Sequence, residues 1–384
     1  MFDFLFYLVI GFGLGAIAGL IPGMHPNLIG LIALGFLPAE GIVISIVTML
    51  VSSQFFELIK MVFLFVPEES NVLAMHPVFS FVKQGKGIIA LRYCLTGLII
   101  AFLISIIASP LILQIVPFVI TNIREYVPFI LLIVASYLVL RDKKRHFAII
   151  IFILAGIVGY FGLNSMNQPL LVLLTGFFAI PVLLELKQSF PKQILSTESK
   201  IEKPSLVRGV IAAFISSLML VFLPAVGPAQ ASVFSRGILK KIEDFFVAIG
   251  AISGFDVIFS IILLFTIGKA RIGILESFGH VFTVDLNLFV VMMIIALLTS
   301  VISYFIVFYS ANRLALLIPR INYKKLSYII IAFLTIIIFL FDGFVGLGFF
   351  VLAGLIGIVA NKFTNSMTHC MGSLIIPTII YLLF

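Results

Sequence analysis

The chain has 384 residues, 62% of them hydrophobic and 10% charged, and its mean hydropathy is +1.30. Globular chains are nearer half apolar and a quarter charged, so no soluble fold of this length hides that much apolar surface; the bilayer is the solvent this composition fits. The net charge of +8 does not point to nucleic acid, because the basic residues fall in short loops between apolar runs, as the positive-inside rule produces.

Apolar runs long enough to cross about 30 Å of hydrocarbon follow one another through the chain. Met1-Phe2-Asp3-Phe4 lacks the basic region of a signal peptide, so the first run is expected to stay as a membrane helix. Helices are predicted over 2–21, a short piece 27–37, 41–66, 88–117 with Pro110 inside, 126–140, 147–163 and 169–186. They continue over 207–223, a short piece 229–238, 245–268, 286–309, 326–341, 343–360 and 368–384. The fold class is an all-α polytopic integral membrane protein with about 10–12 transmembrane helices and two Pro-broken re-entrant elements. Residues 1–186 are expected to form one membrane half, 187–206 a basic cytoplasmic linker and 207–384 a second half. Cys94 and Cys370 both sit in apolar context, which indicates no disulfide framework.

Two apolar runs are broken by loops of the same spacing. The first reads Ile21-Pro22-Gly23-Met24-His25-Pro26-Asn27 and the second Leu223-Pro224-Ala225-Val226-Gly227-Pro228-Ala229-Gln230. Their prolines are 202 residues apart (224 − 22 and 228 − 26). Ser52-Ser53-Gln54 lies opposite Gly254-Phe255-Asp256 at the same offset. Loops 141–146, 187–208 and 313–325 are strongly basic and are expected in the cytoplasm. The first broken element has Asp3 and Glu40 at its flanks, the second Lys203, Arg208, Arg236, Lys240 and Lys241. Read with 2–37 as a hairpin, equivalent elements therefore open from opposite faces, which is the pattern of an inverted repeat. Paired broken helices in the two halves of such a repeat point to a transporter's binding site.

Proline removes an N–H and breaks the helix ladder, and in lipid the freed backbone groups must be buried in protein or line a cavity. The half-helix after each loop presents unpaired N–H groups and a positive dipole end, which suit an anion. Pro22, Gly23, His25, Pro26, Asn27, Pro224, Gly227, Pro228 and Gln230 are the candidate substrate-binding residues. His25 is the titratable group within the loops. The plainer reading of either loop is a kink that shapes packing. Asp256 lacks a basic partner within a helical turn and is a candidate for coupling to Na⁺ or H⁺, with Ser52, Ser53 and Gln54 as oxygen ligands in the corresponding place. Glu57 and Lys60, spaced i, i+3, either neutralise each other or serve function. Asp342 reads as a turn or cap residue, and Lys362, Asn365 and His369 as interfacial.

These residues resemble the TctA family, the large permease subunit of tripartite tricarboxylate transporters. Ile21-Pro22-Gly23 is similar to its first Pro-Gly loop, and Val66-Pro67-Glu68-Glu69-Ser70-Asn71 and Met75-His76-Pro77 to the turns that follow. Lys83-Gln84-Gly85-Lys86-Gly87-Ile88-Ile89-Ala90-Leu91 is similar to its Lys-Gly element, and Leu223 to Ser232 to its second-half loop. Glu243-Asp244-Phe245 and the Gly250 to Gly254 spacing fit as well. The glycine after Pro67 and after Pro224 is missing, and Phe255-Asp256-Val257-Ile258 replaces a polar stretch. The resemblance implies cation-coupled uptake of an organic anion, with a small membrane subunit and an external binding protein as partners. No cofactor is implied beyond a Na⁺ or H⁺ coupling ion.

The same loops also suit a carrier of polyprenyl-phosphate lipids, since a half-helix N-terminus accepts a phosphate as well as a carboxylate. An enzyme is not expected. His25, His76, His146, His280 and His369 show no His-Glu-x-x-His spacing, Asp256 and Asp342 lack a Gly-x-Gly-Asp context, and no Gly-x-Ser-x-Gly elbow occurs.

Overall fold

A computed structural model of the chain describes residues 2–21, 26–66, 68, 71–123, 126–140, 142–186, 190–194, 201–222, 227–364 and 367–383. Among them the structure is helical, with no strand. The first half comprises α1 (Phe2–Leu20), α2 (Pro26–Phe36), α3 (Ala39–Leu64), α4 (Met75–Lys83), α5 (Gly87–Ile123), α6 (Val127–Leu140) and α7 (Arg145–Ser165). It ends in α8 (Pro169–Leu174) and α9 (Ile180–Glu185), joined by one wide π turn, Thr175–Ala179. The second half comprises α10 (Lys203–Phe222), α11 (Pro228–Ile238), α12 (Ile242–Ile267), α13 (Gly273–Val281), α14 (Leu286–Ala315), α15 (Tyr323–Phe363) and α16 (Gly372–Leu383). Eight of the described helices are long and apolar enough to cross a membrane, fewer than the expected runs. The 41-residue α15 contains two of those runs end to end, broken at Gly343 with φ 59° and ψ −148°. That backbone is open to a residue without Cβ. The piece 169–185 is shorter than a spanning helix needs and is interrupted at the π turn.

Helix lengths repeat across the chain. α1, α2 and α3 have 19, 11 and 26 residues, and α10, α11 and α12 have 20, 11 and 26. Both central helices end in a left-handed residue, Phe65 at φ 55° and Gly268 at φ 67°, at an offset of 203 (268 − 65). A short helix of 9 residues follows each, α4 and α13. Neither is expected from the apolar runs, because each is amphipathic: Met75, Val78, Phe79 and Val82 are buried on one, and Ile274, Leu275 and Phe278 on the other.

α1 packs along α3 through glycine. A Cβ at Gly11 would meet the Ser45 backbone, one at Gly15 the Ser52 hydroxyl, and one at Gly19 the Ser53 carbonyl at 2.7 Å. Small residues let membrane helices approach this closely. The contacts climb both helices together, so α1 and α3 run parallel, and α2 must return the chain to the face where α1 began. The same holds for α10 and α12, where Arg208 meets Asp244 and Phe214 meets Phe255. Each broken element is thus a hairpin that re-emerges on its own side.

The halves exchange partners. α3 packs on α14 and α12 on α5, while α7 packs on α16 and α15 on the 169–185 segment. α3 and α12 form the interior, α12 buried from Asp244 to Leu264, while α5, α7, α14 and α15 carry exposed Leu, Ile, Val and Phe over their outer faces. The α7–α16 and α15–(169–185) seams use the same residues. Leu154-Ala155-Gly156-Ile157-Val158-Gly159 and Leu352-Ala353-Gly354-Leu355-Ile356-Gly357 are two copies of one motif, 198 residues apart (354 − 156). A Cβ at Gly159 would lie 1.9 Å from the Ser373 carbonyl, and one at Gly357 2.2 Å from the Phe177 carbonyl. Two hydrophobic cores result. The larger is built on α3, α5, α12 and α14, the smaller on α7, α16, the second part of α15 and residues such as Phe177 and Phe178.

The described part of the linker is strapped down. Gln193 accepts the Gly87 N–H at 2.9 Å and donates to the Val82 carbonyl at 3.1 Å. Phe190 packs tilted or edge-on among Phe65, Phe79 and Tyr323. α10 begins at Lys203, inside the stretch expected as linker.

Candidate functional site

Each returning half-helix starts at proline. Pro26 opens α2 and Pro228 opens α11, where a missing N–H costs nothing and the fixed φ suits the first turn. Gly227 is buried, and its carbonyl accepts the Ala231 N–H at 3.1 Å. Pro22, Gly23, His25, Pro224 and the side chain of Gln230 lie outside the described residues.

Each half-helix docks on the turn that follows the central helix of the opposite half. On the first side, Asn27 Oδ1 accepts the Ile274 N–H at 3.0 Å, at the start of α13. The turn before Ile274 is fastened to α12: Arg271 Nε lies 2.5 Å from Asp256 Oδ1. The backbone N–H groups of Arg271 and Ile272 both donate to Ser260 Oγ at 3.0 Å. Asp256 and Ser260 are i, i+4 on one face of the helix, so together they grip one turn. The structure therefore brings Asn27 and Asp256 onto the same short segment.

On the second side α11 packs against Val72–Ala74, the single turn before α4. Just upstream, Glu68 pairs with Lys60 of α3, whose side chain has no exposed surface, and the Glu68 N–H donates to Asn71 Oδ1 at 2.9 Å. Glu57, one turn earlier on α3, is buried within electrostatic reach of Lys60, Glu68 and Asp256. Glu68 and Arg271 are 203 residues apart (271 − 68), the same offset as the left-handed caps. The turn partners are equivalent in place and opposite in sign, while the helix partners, Lys60 and Asp256, lie 196 residues apart (256 − 60), about two turns out of register. In the first half the base is on the helix and the acid on the turn; in the second the acid is on the helix and the base on the turn.

Several expectations change. Asp256 is not a lone acid, because its partner arrives from 15 residues further on. Lys60 is paired with Glu68 rather than with Glu57, since the left-handed residue at Phe65 folds the chain back over the end of α3. His369, read as interfacial, is 1% exposed, with Nε2 2.8 Å from Asp142 Oδ2 of the basic loop 141–146. Lys362 is exposed at the end of α15, and Asn365 lies outside the described residues. Asp342 does cap, its Oδ1 accepting the N–H groups of Asn167 and Gln168 beside the start of α8. Ser52 and Ser53 are buried at the α1–α3 contact, and their hydroxyls donate to Thr48 and Leu50 carbonyls of their own helix. Gln54 is half-buried on the same helix.

The cytoplasm-expected end of the second element is pinned by ion pairs. Arg208 holds Asp244 by two bonds, Nε–Oδ2 at 2.8 Å and Nη2–Oδ1 at 3.0 Å. Lys241 Nζ lies 3.0 Å from Glu202 Oε2, and this hydrogen bond holds the ammonium above the ordinary lysine value.

The chain matches the Tripartite tricarboxylate transporter TctA family over residues 5–372. It belongs to that family. An uncharacterized protein of Methanocaldococcus jannaschii is 26% identical over 395 residues, covering 99% of each chain. No solved structure matches. As a TctA-family protein the chain is a multi-pass membrane protein of a transporter family, and the match spans both half-sites. The motifs that resemble the family have structural work here. Lys83 to Gly87 makes the turn between α4 and α5, with Gly85 at φ 75° and its carbonyl held by the Ile194 N–H. Gly250 and Gly254 let α12 meet α5, where a Cβ at Gly250 would lie 1.9 Å from the Cys94 carbonyl.

Arg271, Ser260 and Glu68 were not singled out as site residues by sequence reasoning, and Lys60 was read only against Glu57. The signal for Ser260 was its i, i+4 spacing from Asp256. That for Glu68 and Arg271 was a charge at matched offset just past each central helix.

Proposed function

We propose that the chain is the large membrane subunit of a secondary transporter that moves a small organic anion, a di- or tricarboxylate, coupled to Na⁺ or H⁺. The observation that carries this reading is the pairing of Pro-started half-helices with charged turns of the opposite half. An anion at a half-helix N-terminus meets free N–H groups and a positive dipole end. It lies one turn away from an ion pair whose balance a bound cation or proton alters. Because each half-helix rests on the other half, movement at one side is transmitted to its counterpart, as alternating access around a central site requires. Family membership supports a permease role, and with it a small membrane subunit and an external binding protein as partners.

The test is uptake of labelled citrate and succinate into liposomes containing the purified protein, with and without an inward Na⁺ or H⁺ gradient. Gradient-driven accumulation is expected. Equal, non-accumulating entry with and without gradients would make the protein a channel and overturn the reading.

A further inference from the structure

We infer that a cavity at the seam between the two hydrophobic cores is a binding site for a small carboxylate. Its volume is about 290 Å³, and it lies between α11, α12, the Val72–Pro77 segment, the end of α15 and the short helical turn Met367–Met371. Its polar lining is Arg236, His76, Asn361, Thr364 and Thr368, and its apolar walls include Phe178 and Phe245. Phe178 belongs to the smaller core and Phe245 to the larger, so the cavity straddles two bodies that a transport cycle would move against each other.

The chemistry of the lining selects the ligand. Both ionisable side chains in it are basic, and no Asp or Glu among the described residues lines it. The Arg236 guanidinium sits over the Phe245 ring, 4.9 Å from its centroid. Such stacking uses the plane of the guanidinium, while its N–H edge is the part that grips a carboxylate bidentately. Asn361 Nδ2 donates to Glu185 Oε1 at 2.6 Å, and Thr364 Oγ1 donates to the Ala360 carbonyl at 2.7 Å. These bonds fix both side chains at the wall. The size is at the small end of ligand pockets, which run about 300–1,000 Å³, and suits a few carbons bearing carboxylates. Arg236 is on α11, the second returning half-helix, so the cavity continues the second half-site toward the end that carries Lys240 and Lys241. The choice of carboxylate over other small anions rests on the transport reading above.

Thr368→Cys places a thiol in the cavity wall, and the two natural cysteines, Cys94 and Cys370, are buried. Maleimide labelling of the Thr368→Cys protein in detergent is expected to slow at least about fivefold in citrate or succinate against chloride of equal ionic strength. Adding Arg236→Gln is expected to remove that protection, and Arg236→Lys to keep part of it, since a lysine retains the charge and loses the fork. Protection by neither acid, or protection undiminished in a monodisperse Arg236→Gln protein, would overturn the site. Protection in protein that shows no uptake would keep the site and remove the transport reading; uptake without protection would do the reverse.

Discussion

At the scale of single residues, the interior of this membrane protein is organised by charges that balance one another across turns. Lys60 has no exposed surface, and an uncompensated charge at such a place costs several kcal/mol. Lys60→Met, which leaves Glu68 without its base, is therefore expected to lower stability by about 3–5 kcal/mol, read as a large drop in melting temperature in detergent. Lys60→Met with Glu68→Gln is expected to recover most of it; equal melting of the single variant and the wild type would contradict the pairing. Asp256→Asn keeps the shape of the α12 contact and removes its charge. It is expected to abolish gradient-driven uptake while the protein still elutes as one species, and uptake with unchanged ion dependence would take Asp256 out of the mechanism. Asp256 was legible in the sequence as an acid in an apolar run. Arg271 was not, because its approach depends on a left-handed cap and a tight turn, and neither leaves a periodic signal.

At the scale of elements, breaks were more legible than packing. The starts of α2 and α11 were read within one residue, since a proline inside an apolar run interrupts the helix ladder at its own position. α4 and α13 were missed because 9 residues with one apolar face do not resemble a span. The Leu-Ala-Gly repeat of α7 and α15 is plain in the sequence, yet it lies at an offset of 198 (354 − 156) while the prolines lie at 202 (228 − 26). A search at one fixed offset passes over it. Its glycines are contact points. Gly159→Ala would push a Cβ to 1.9 Å from the Ser373 carbonyl, and overpacking of this kind costs about 1–3 kcal/mol. Gly348→Ala meets nothing within 4 Å and is expected to raise stability by about 0.5–1 kcal/mol through helix preference. Melting of the two variants side by side checks this; the same shift in both would argue against the α7–α16 contact.

At the scale of the whole molecule, two successions of helices with matching lengths are interlocked, each resting its half-helix and its long helices on the other. Composition made the membrane class legible at once. The interlocking was not, because which helix packs on which is decided by surfaces shared between distant segments. Two such successions that face opposite ways are what alternating access around one site requires. Pro38 and Lys240 stand at equivalent places, 202 residues apart (240 − 38), just before the buried helices α3 and α12, and both are exposed. Single cysteines there can be probed with a membrane-impermeant maleimide in intact cells and in inverted vesicles, with the buried Cys94 and Cys370 silent. The account predicts that Pro38→Cys is labelled only from outside and Lys240→Cys only from the cytoplasm. Labelling of both from the same face would make the repeat parallel and contradict it.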